Sequence, residues 1–269
     1  MDRTALLVAF LALTACGGGG GGGSTPTPSA PAPIPAFDAC NIFGFAAPGP
    51  GTSILNGHDC TTPSPVVLLN MRDSGGRSLG ACSGTLITPR DILTAAHCVD
   101  ADPDPIAVIQ VWLGSGLQIA AESFTAFPNF RFNQSGFDVG VIRMGEDLPR
   151  NPVAILTSRD GVAGETAIIT GWGRDQNNSS HTLRAGSTRV SRVNNGFLET
   201  IYAPPSSSVC QGDSGGPILL SEGGSWVIAG ITSATSTSVC NEGTNFYQSV
   251  RTSSVLEFIR EHVPAVGQK

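Results

Sequence analysis

Three short blocks carry residue types that together could cut an acyl bond. Cys210-Gln211-Gly212-Asp213-Ser214-Gly215-Gly216-Pro217 sets a serine among glycines, with an aspartate directly before it. Leu93-Thr94-Ala95-Ala96-His97-Cys98 and Gly136-Phe137-Asp138-Val139-Gly140-Val141-Ile142 supply a histidine and a second aspartate. A serine hydroxyl is a poor nucleophile until a base takes its proton, and an imidazole can do that near neutral pH and then protonate the leaving group. A carboxylate can hold the ring in the needed tautomer and stabilise the imidazolium. Ser214, His97 and Asp138 are therefore the candidate nucleophile, base and orienting acid. Small residues around Ser214 let the backbone approach a developing oxyanion, with the N–H groups of Gly212 and Ser214 as donors. Losing one such donor typically costs about 3 to 4 kcal/mol. Each residue alone has a plainer role open to it: Asp138 could cap a turn, His97 could be a satisfied core histidine, and Ser214 could sit in any glycine-rich turn.

The elements that would have to position these blocks are strands. The chain has 269 residues, with 34 Gly, 19 Pro and only 13% charged residues. That length and composition fit one large β domain or two small ones better than a helical bundle. Val66-Val67-Leu68-Leu69, the run from Ala107 to Trp112, Val139 to Ile142, Ala167-Ile168-Ile169 and Trp226-Val227-Ile228-Ala229 are short β-branched or apolar runs. Asp73-Ser74-Gly75-Gly76 and Gly223-Gly224 read as turns between such runs. No strand–helix alternation is seen. One helix is expected at the end, where Ser254 and Glu257 form a capping box and Val255, Phe258, Ile259 and His262 share a face. The net charge of -6 offers no basic footprint, so nucleic acid is not an expected partner. His58, His181 and His262 lack catalytic context and read as surface or packing residues. No clustered ligands are seen, so neither a metal nor a cofactor is expected.

The first 15 residues read as an export signal. Arg3 gives a weak basic start, and Ala5 to Leu13 form an apolar stretch too short to span a membrane, which takes roughly 20 apolar residues. The ending Leu13-Thr14-Ala15-Cys16 resembles a bacterial lipoprotein signal. That implies cleavage before Cys16, lipid on Cys16, and a protein exported and tethered to the cell envelope, on its periplasmic or outer face. An ordinary signal peptide with a chance cysteine is the alternative. Residues 16–36 run from a glycine tract into alternating Pro and small residues, a spacer too poor in apolar surface to fold. Residues 37–53 read as a pro-segment and residues 54–269 as the folded domain.

Taken together, Cys82-Ser83-Gly84-Thr85-Leu86-Ile87, Thr94-Ala95-Ala96-His97-Cys98, Asp138-Val139-Gly140-Val141-Ile142, Gly171-Trp172-Gly173 and Gly212-Asp213-Ser214-Gly215-Gly216-Pro217 resemble the trypsin/chymotrypsin family of serine endopeptidases. The blocks fall in the family's order over roughly residues 54 to 262. The resemblance implies an all-β fold of two packed antiparallel barrels, with a boundary near residue 157 and the active site between them. It also implies a monomeric enzyme acting on protein or peptide substrates. Ser233 falls where the family bonds a serine to the catalytic aspartate. Setting aside Cys16 from the seven cysteines leaves six, an even number in an exported chain. The resemblance pairs Cys82 with Cys98 and Cys210 with Cys240, and Cys40 and Cys60 are then left to pair with each other. Sequence alone allows 15 connectivities.

Ile54-Leu55-Asn56-Gly57 resembles the new N-terminus this family makes on activation. Cleavage between Ser53 and Ile54 would free an ammonium to pair with Asp213, and a Cys40–Cys60 bridge would keep the cut enzyme tied to its anchor. The alternative is that Ile54 starts an ordinary strand. By the same resemblance Ser208 lies at the bottom of the primary specificity pocket, with Thr235 and Asn245 on its walls. None is charged and both wall residues exceed glycine, which suggests small or medium uncharged side chains. Two other readings compete. Gly212-Asp213-Ser214-Gly215-Gly216 also fits the G-x-S-x-G turn of an α/β-hydrolase esterase, but that fold needs the acid and then the base after the serine, and no aspartate follows Ser214. A catalytically silent, protease-like binding module usually lacks a triad member, and here all three are present.

Overall fold

A computed structural model describes residues 54–60, 64–100, 105–132, 134–175 and 177–269. The expected signal, spacer and pro-segment, with Cys16, Cys40 and Ser53, lie outside the described residues.

Among the described residues fourteen strands form two seven-stranded sheets, with every strand pairing antiparallel. The first sheet has the order β6(Ile119–Ala120), β5(Val108–Trp112), β2(Val66–Arg72), β3(Ser78–Leu86), β4(Asp91–Thr94), β8(Gly140–Arg143), β7(Ser123–Ala126). The second has the order β1(His58–Asp59), β10(Arg184–Asn194), β11(Phe197–Ile201), β14(Thr244–Ser249), β13(Ser225–Thr235), β12(Pro217–Glu222), β9(Thr166–Gly171). Strand β9 also pairs with β10, so the second sheet closes on itself. Both are curled antiparallel barrels, as expected. The apolar runs seen in the sequence lie in β2, β5, β8, β9 and β13.

One α-helix among the described residues, α1(Ser253–His262), follows the second barrel yet buries Val255, Phe258 and Ile259 in the core cluster built mainly from the first. Phe258 and Phe127 have ring centroids 5.5 Å apart. The helix therefore ties the two halves of the chain together. The capping box is a correction: the N-cap is Thr252, and no side chain caps the helix. That register puts Val255, not a glutamate, at the third helical position, so a reciprocal cap cannot form. His262 instead engages the Phe258 carbonyl through Nδ1 at 2.9 Å. The C-terminus runs back along the segment between the barrels, with the Ile155 N–H donating to the Gly267 carbonyl (2.9 Å) and the Lys269 N–H to the Ile155 carbonyl (3.0 Å).

Two disulfides have the expected pairing. Cys82–Cys98 has Cα atoms 6.1 Å apart and Cys210–Cys240 5.0 Å apart. Each contributes roughly 3 kcal/mol, chiefly by restricting the unfolded chain. Cys60 is also disulfide-bonded, and its expected partner lies outside the described residues. Among the described residues no helix is long and apolar enough to cross a membrane.

The tie between the barrels is testable. Phe258→Ala should cost about 3 to 5 kcal/mol in denaturant unfolding; a loss below 1 kcal/mol would mean the helix face does not hold the fold.

Candidate active site

His97 lies in a single 3₁₀ turn, Ala96–Cys98, that directly follows β4 and is stapled to β3 through Cys98. Asp138 immediately precedes Val139 and β8, the strand paired with β4. Two neighbouring strands thus carry the base and the acid to the same end of the first barrel. His97 Nδ1 lies 2.8 Å from Asp138 Oδ2, and the His97 backbone N–H donates to Oδ1 at 3.1 Å. The Ser233 hydroxyl, from β13 of the second barrel, donates to Oδ2 at 2.6 Å. Asp138 is 5% exposed, so three donors from two barrels surround a nearly dry carboxylate. With Nδ1 donating to Asp138, Nε2 is left as the acceptor. Phe132 meets the His97 ring edge-on, with centroids 5.3 Å apart.

Ser214 stands in the loop that leads into β12. Its carbonyl accepts from the Ser83 N–H at 2.8 Å, which pins it to β3 of the first barrel. Ser83 is a hub. Its hydroxyl donates to the Gly212 carbonyl at 2.9 Å and accepts from the Trp172 N–H at 2.9 Å, and its carbonyl accepts from the Thr94 hydroxyl at 2.9 Å. Gly212 has φ +97°, and a Cβ there would lie 2.9 Å from the Gly173 Cα. Gly215 has φ +79°, and a Cβ there would collide with the Thr94 hydroxyl and the Ser83 carbonyl. Only glycine meets both demands. Among the described residues, the N–H groups of Gly212 and Ser214 donate to no protein acceptor.

Beneath this loop lies Asp213, 1% exposed. It accepts from the Gly173 N–H at Oδ1 and the Cys210 N–H at Oδ2, each at 2.8 Å. No cation lies within ion-pair distance of it among the described residues. Burial pushes its pKa up to about 6, against the pull of the two N–H donors and of the Arg184 charge. Arg184 is itself 4% exposed. It bonds Asp59 (3.0 Å), Asp175 (3.5 Å) and the Gly173 carbonyl (3.2 Å), tying the first described segment to the loop under Asp213. Burial holds its guanidinium below the ordinary arginine value.

Ile54 is 1% exposed and packs in the second barrel's core with Val209. The segment it starts is not a regular strand: it makes one bridge, Leu55 to Ser208. The Ser207 hydroxyl donates to the Asn56 carbonyl at 3.2 Å and the Asn56 amide to the Tyr202 hydroxyl at 3.2 Å.

A cleft of about 260 Å³ opens at His97 and Ser214, walled by Val209, Thr232, Ser233 and Thr235. Thr235 lines it as expected. Ser208 (0% exposed) and Asn245 (1% exposed) do not reach it. They bond each other, with Asn245 Nδ2 donating to Ser208 Oγ at 3.1 Å and to Thr200 Oγ1 at 3.1 Å. Both side chains are therefore satisfied within the buried strand layer instead of lining the cleft. Cys82, His97 and Cys98 are close enough to suggest a metal site, but the two sulfurs are joined in a disulfide and cannot offer thiolates.

Sequence reasoning missed Ser83, Phe132 and Arg184. Ser83 sits inside a quoted block, but its bonds reach 129 and 89 residues along the chain, and no local pattern marks that. Arg184 stands in an ordinary strand pattern and is singled out only by burial.

The family model described as Trypsin matches residues 54–259. Chymotrypsin of Phaedon cochleariae is 28% identical over 240 residues, covering 79% of this chain and 83% of that protein. Phenoloxidase-activating factor 3 of Holotrichia diomphalia is 27% identical over 263 residues, covering 78% and 72%. Chymotrypsin-like elastase family member 1 of Macaca fascicularis is 26% identical over 217 residues, covering 71% and 81%. A solved collagenase structure has the same fold, with a TM-score of 0.63 and 22% identity, covering 75% of this chain and 94% of that one. With the two barrels, the paired histidine and aspartate and the glycine-walled serine loop, the match over residues 54–259 makes this chain a member of the trypsin family of serine endopeptidases.

Proposed function

We propose that this endopeptidase works through Ser214, His97 and Asp138. His97 Nε2 takes the Ser214 proton as Oγ attacks the scissile carbonyl, and returns it to the leaving amine. Asp138 holds the ring and stabilises the imidazolium, and Ser233 holds Asp138. The free N–H groups of Gly212 and Ser214 receive the oxyanion. Water then repeats the sequence to release the acyl group. The observation that carries this reading is the His97–Asp138 bond of 2.8 Å at a cleft that Ser214 also lines.

The residue whose carbonyl is attacked would seat its side chain between Val209, Thr232 and Thr235. That cleft of about 260 Å³ has no carboxylate, ammonium or guanidinium in its lining, which favours small or medium uncharged side chains.

Activation would follow cleavage before Ile54. A carboxylate buried beside the nucleophile without a cation is costly, and a new Ile54 ammonium would supply one. The short Ile54–Gly57 segment already docks on the loop that carries Ser208. The disulfides suit export to an oxidising compartment. A lipid on Cys16 would hold the domain at the cell envelope, with residues 16–36 as spacer, and the bridge from Cys60 would keep the cleaved enzyme tethered.

Fluorophosphonate labelling with mass spectrometry should locate the adduct on Ser214, in chains that begin at Ile54. The D138N variant should lose about 10⁴-fold in kcat. An adduct only on chains continuous through residue 53 would remove the activation step, and no adduct on fully cleaved chains would favour a silent binding module.

The raised Asp213 pKa has a defined sign. Its contribution to stability is present below the ordinary carboxylate value of about 4 and is lost as pH rises through about 6. The uncleaved chain should lose more melting temperature between pH 4 and 8 than D213N does, and the chain cut before Ile54 should lose less. Equal losses in all three would show that Asp213 does not govern the transition.

The C16S variant should move from the membrane fraction to the soluble fraction on detergent-free lysis. Unchanged partition would remove the lipid anchor.

A further inference from the structure

A second groove adjoins the cleft at His97 through Gln211 and is lined by Gly212. It is about 420 Å³ and is lined by Asn70, Ser78, Trp172, Arg174, His181 and Gly212, among others. Only Gln211 is shared with the cleft that would take the acyl residue. A peptide drawn through the site must pass Gly212, because the carbonyl under attack points at its N–H. With the acyl side chain in one cavity, the leaving-group half lies toward the other.

This groove has one sign of charge. No carboxylate lines it, in a chain whose net charge is -6. Arg174 is exposed and has no ion-pair partner among the described residues, unlike Arg184 ten residues on, which bonds two aspartates. Its root is fixed. The Arg174 N–H donates to the Gln211 carbonyl at 2.9 Å, and the adjacent Gly173 packs against Gly212 and donates to Asp213 at 2.8 Å. The guanidinium therefore swings from a point anchored to the nucleophile loop. His181 lies on the same groove, with Nδ1 2.8 Å from the Ser180 hydroxyl.

We propose that this groove binds the leaving-group half of the substrate and that Arg174 selects an acidic residue there, one or two positions beyond the scissile bond. The inference rests on the assignment of Ser214 as nucleophile and of the 260 Å³ cleft as the acyl pocket. It names the substrate class: peptides and proteins with a small uncharged residue before the cut and a carboxylate shortly after it. An exposed guanidinium–carboxylate pair gives about a fivefold preference, equivalent to about 1 kcal/mol, and salt screens it.

The test uses the form of the enzyme that takes the fluorophosphonate. Internally quenched peptides share one acyl half ending in alanine and differ only in Glu, Gln or Lys at the first and second positions beyond the bond. Each kcat/KM is divided by the same enzyme's rate on an anilide with that acyl half, which has no residue to place in the groove. The normalised rates should fall in the order Glu, Gln, Lys, about fivefold per step at low salt, and converge in 1 M salt. R174Q should flatten the series and R174E should invert it. A wild-type series that is flat, or one that R174E leaves unchanged, overturns the proposal while the protease assignment stands. No labelling and no turnover of the anilide by the wild-type chain overturns both.

Discussion

The active site depends on one buried carboxylate. Asp213 sits under the nucleophile loop and holds two backbone N–H groups, from Gly173 and Cys210, at 2.8 Å each. Those bonds set the path of the chain on either side of Ser214. They fix Gly173, against which Gly212 turns with positive φ, and so the direction of the Gly212 N–H. The carboxylate leaves no room nearby: a Cβ at Gly171 or Gly173 would overlap its side chain. The glycines of Gly171-Trp172-Gly173 are there because a carboxylate occupies the space their side chains would need.

The same arrangement is costly as it stands. Burial raises Asp213 to about 6, so near neutral pH it is ionised in a dry site with no cation in ion-pair distance among the described residues. Arg184 contributes charge at longer range but is committed to Asp59 and Asp175. In the proposed activation the matching charge would be the ammonium of Ile54, whose side chain is buried in the second barrel's core.

The second constraint is that neither barrel holds a complete site. The first supplies His97 and Asp138 and the second supplies Ser214 and Ser233. The crossing bonds include Ser233 to Asp138, Ser83 to Gly212 and to Ser214, the Trp172 N–H to the Ser83 hydroxyl, and Trp172 Nε1 to the Val66 carbonyl at 3.1 Å. The C-terminal helix adds an apolar tie by burying Phe258 in the opposite core.

What the sequence determined by itself was the chemistry and the class of fold. Ser214, His97 and Asp138 stand in blocks whose small and apolar neighbours reflect local demands, such as glycines at positive φ and strands with β-branched runs. Local demands are written in adjacent residues, so they could be read in order, as could two of the disulfides from the resemblance. Tertiary structure decided what depends on residues far apart. The helix cap is Thr252 instead of Ser254, because helical bonding already begins with the Leu256 N–H donating to the Thr252 carbonyl at 2.9 Å, which leaves Ser254 inside the first turn. Ser208 and Asn245, expected around the specificity pocket, instead bond each other away from the cleft, since only the folded chain brings their distant side chains together. Ser83 became the hub of the barrel interface, and Arg174 came to face the groove beside Gly212, for the same reason. Contacts that span a hundred residues leave no periodicity or spacing in the chain, and only the closed fold creates them.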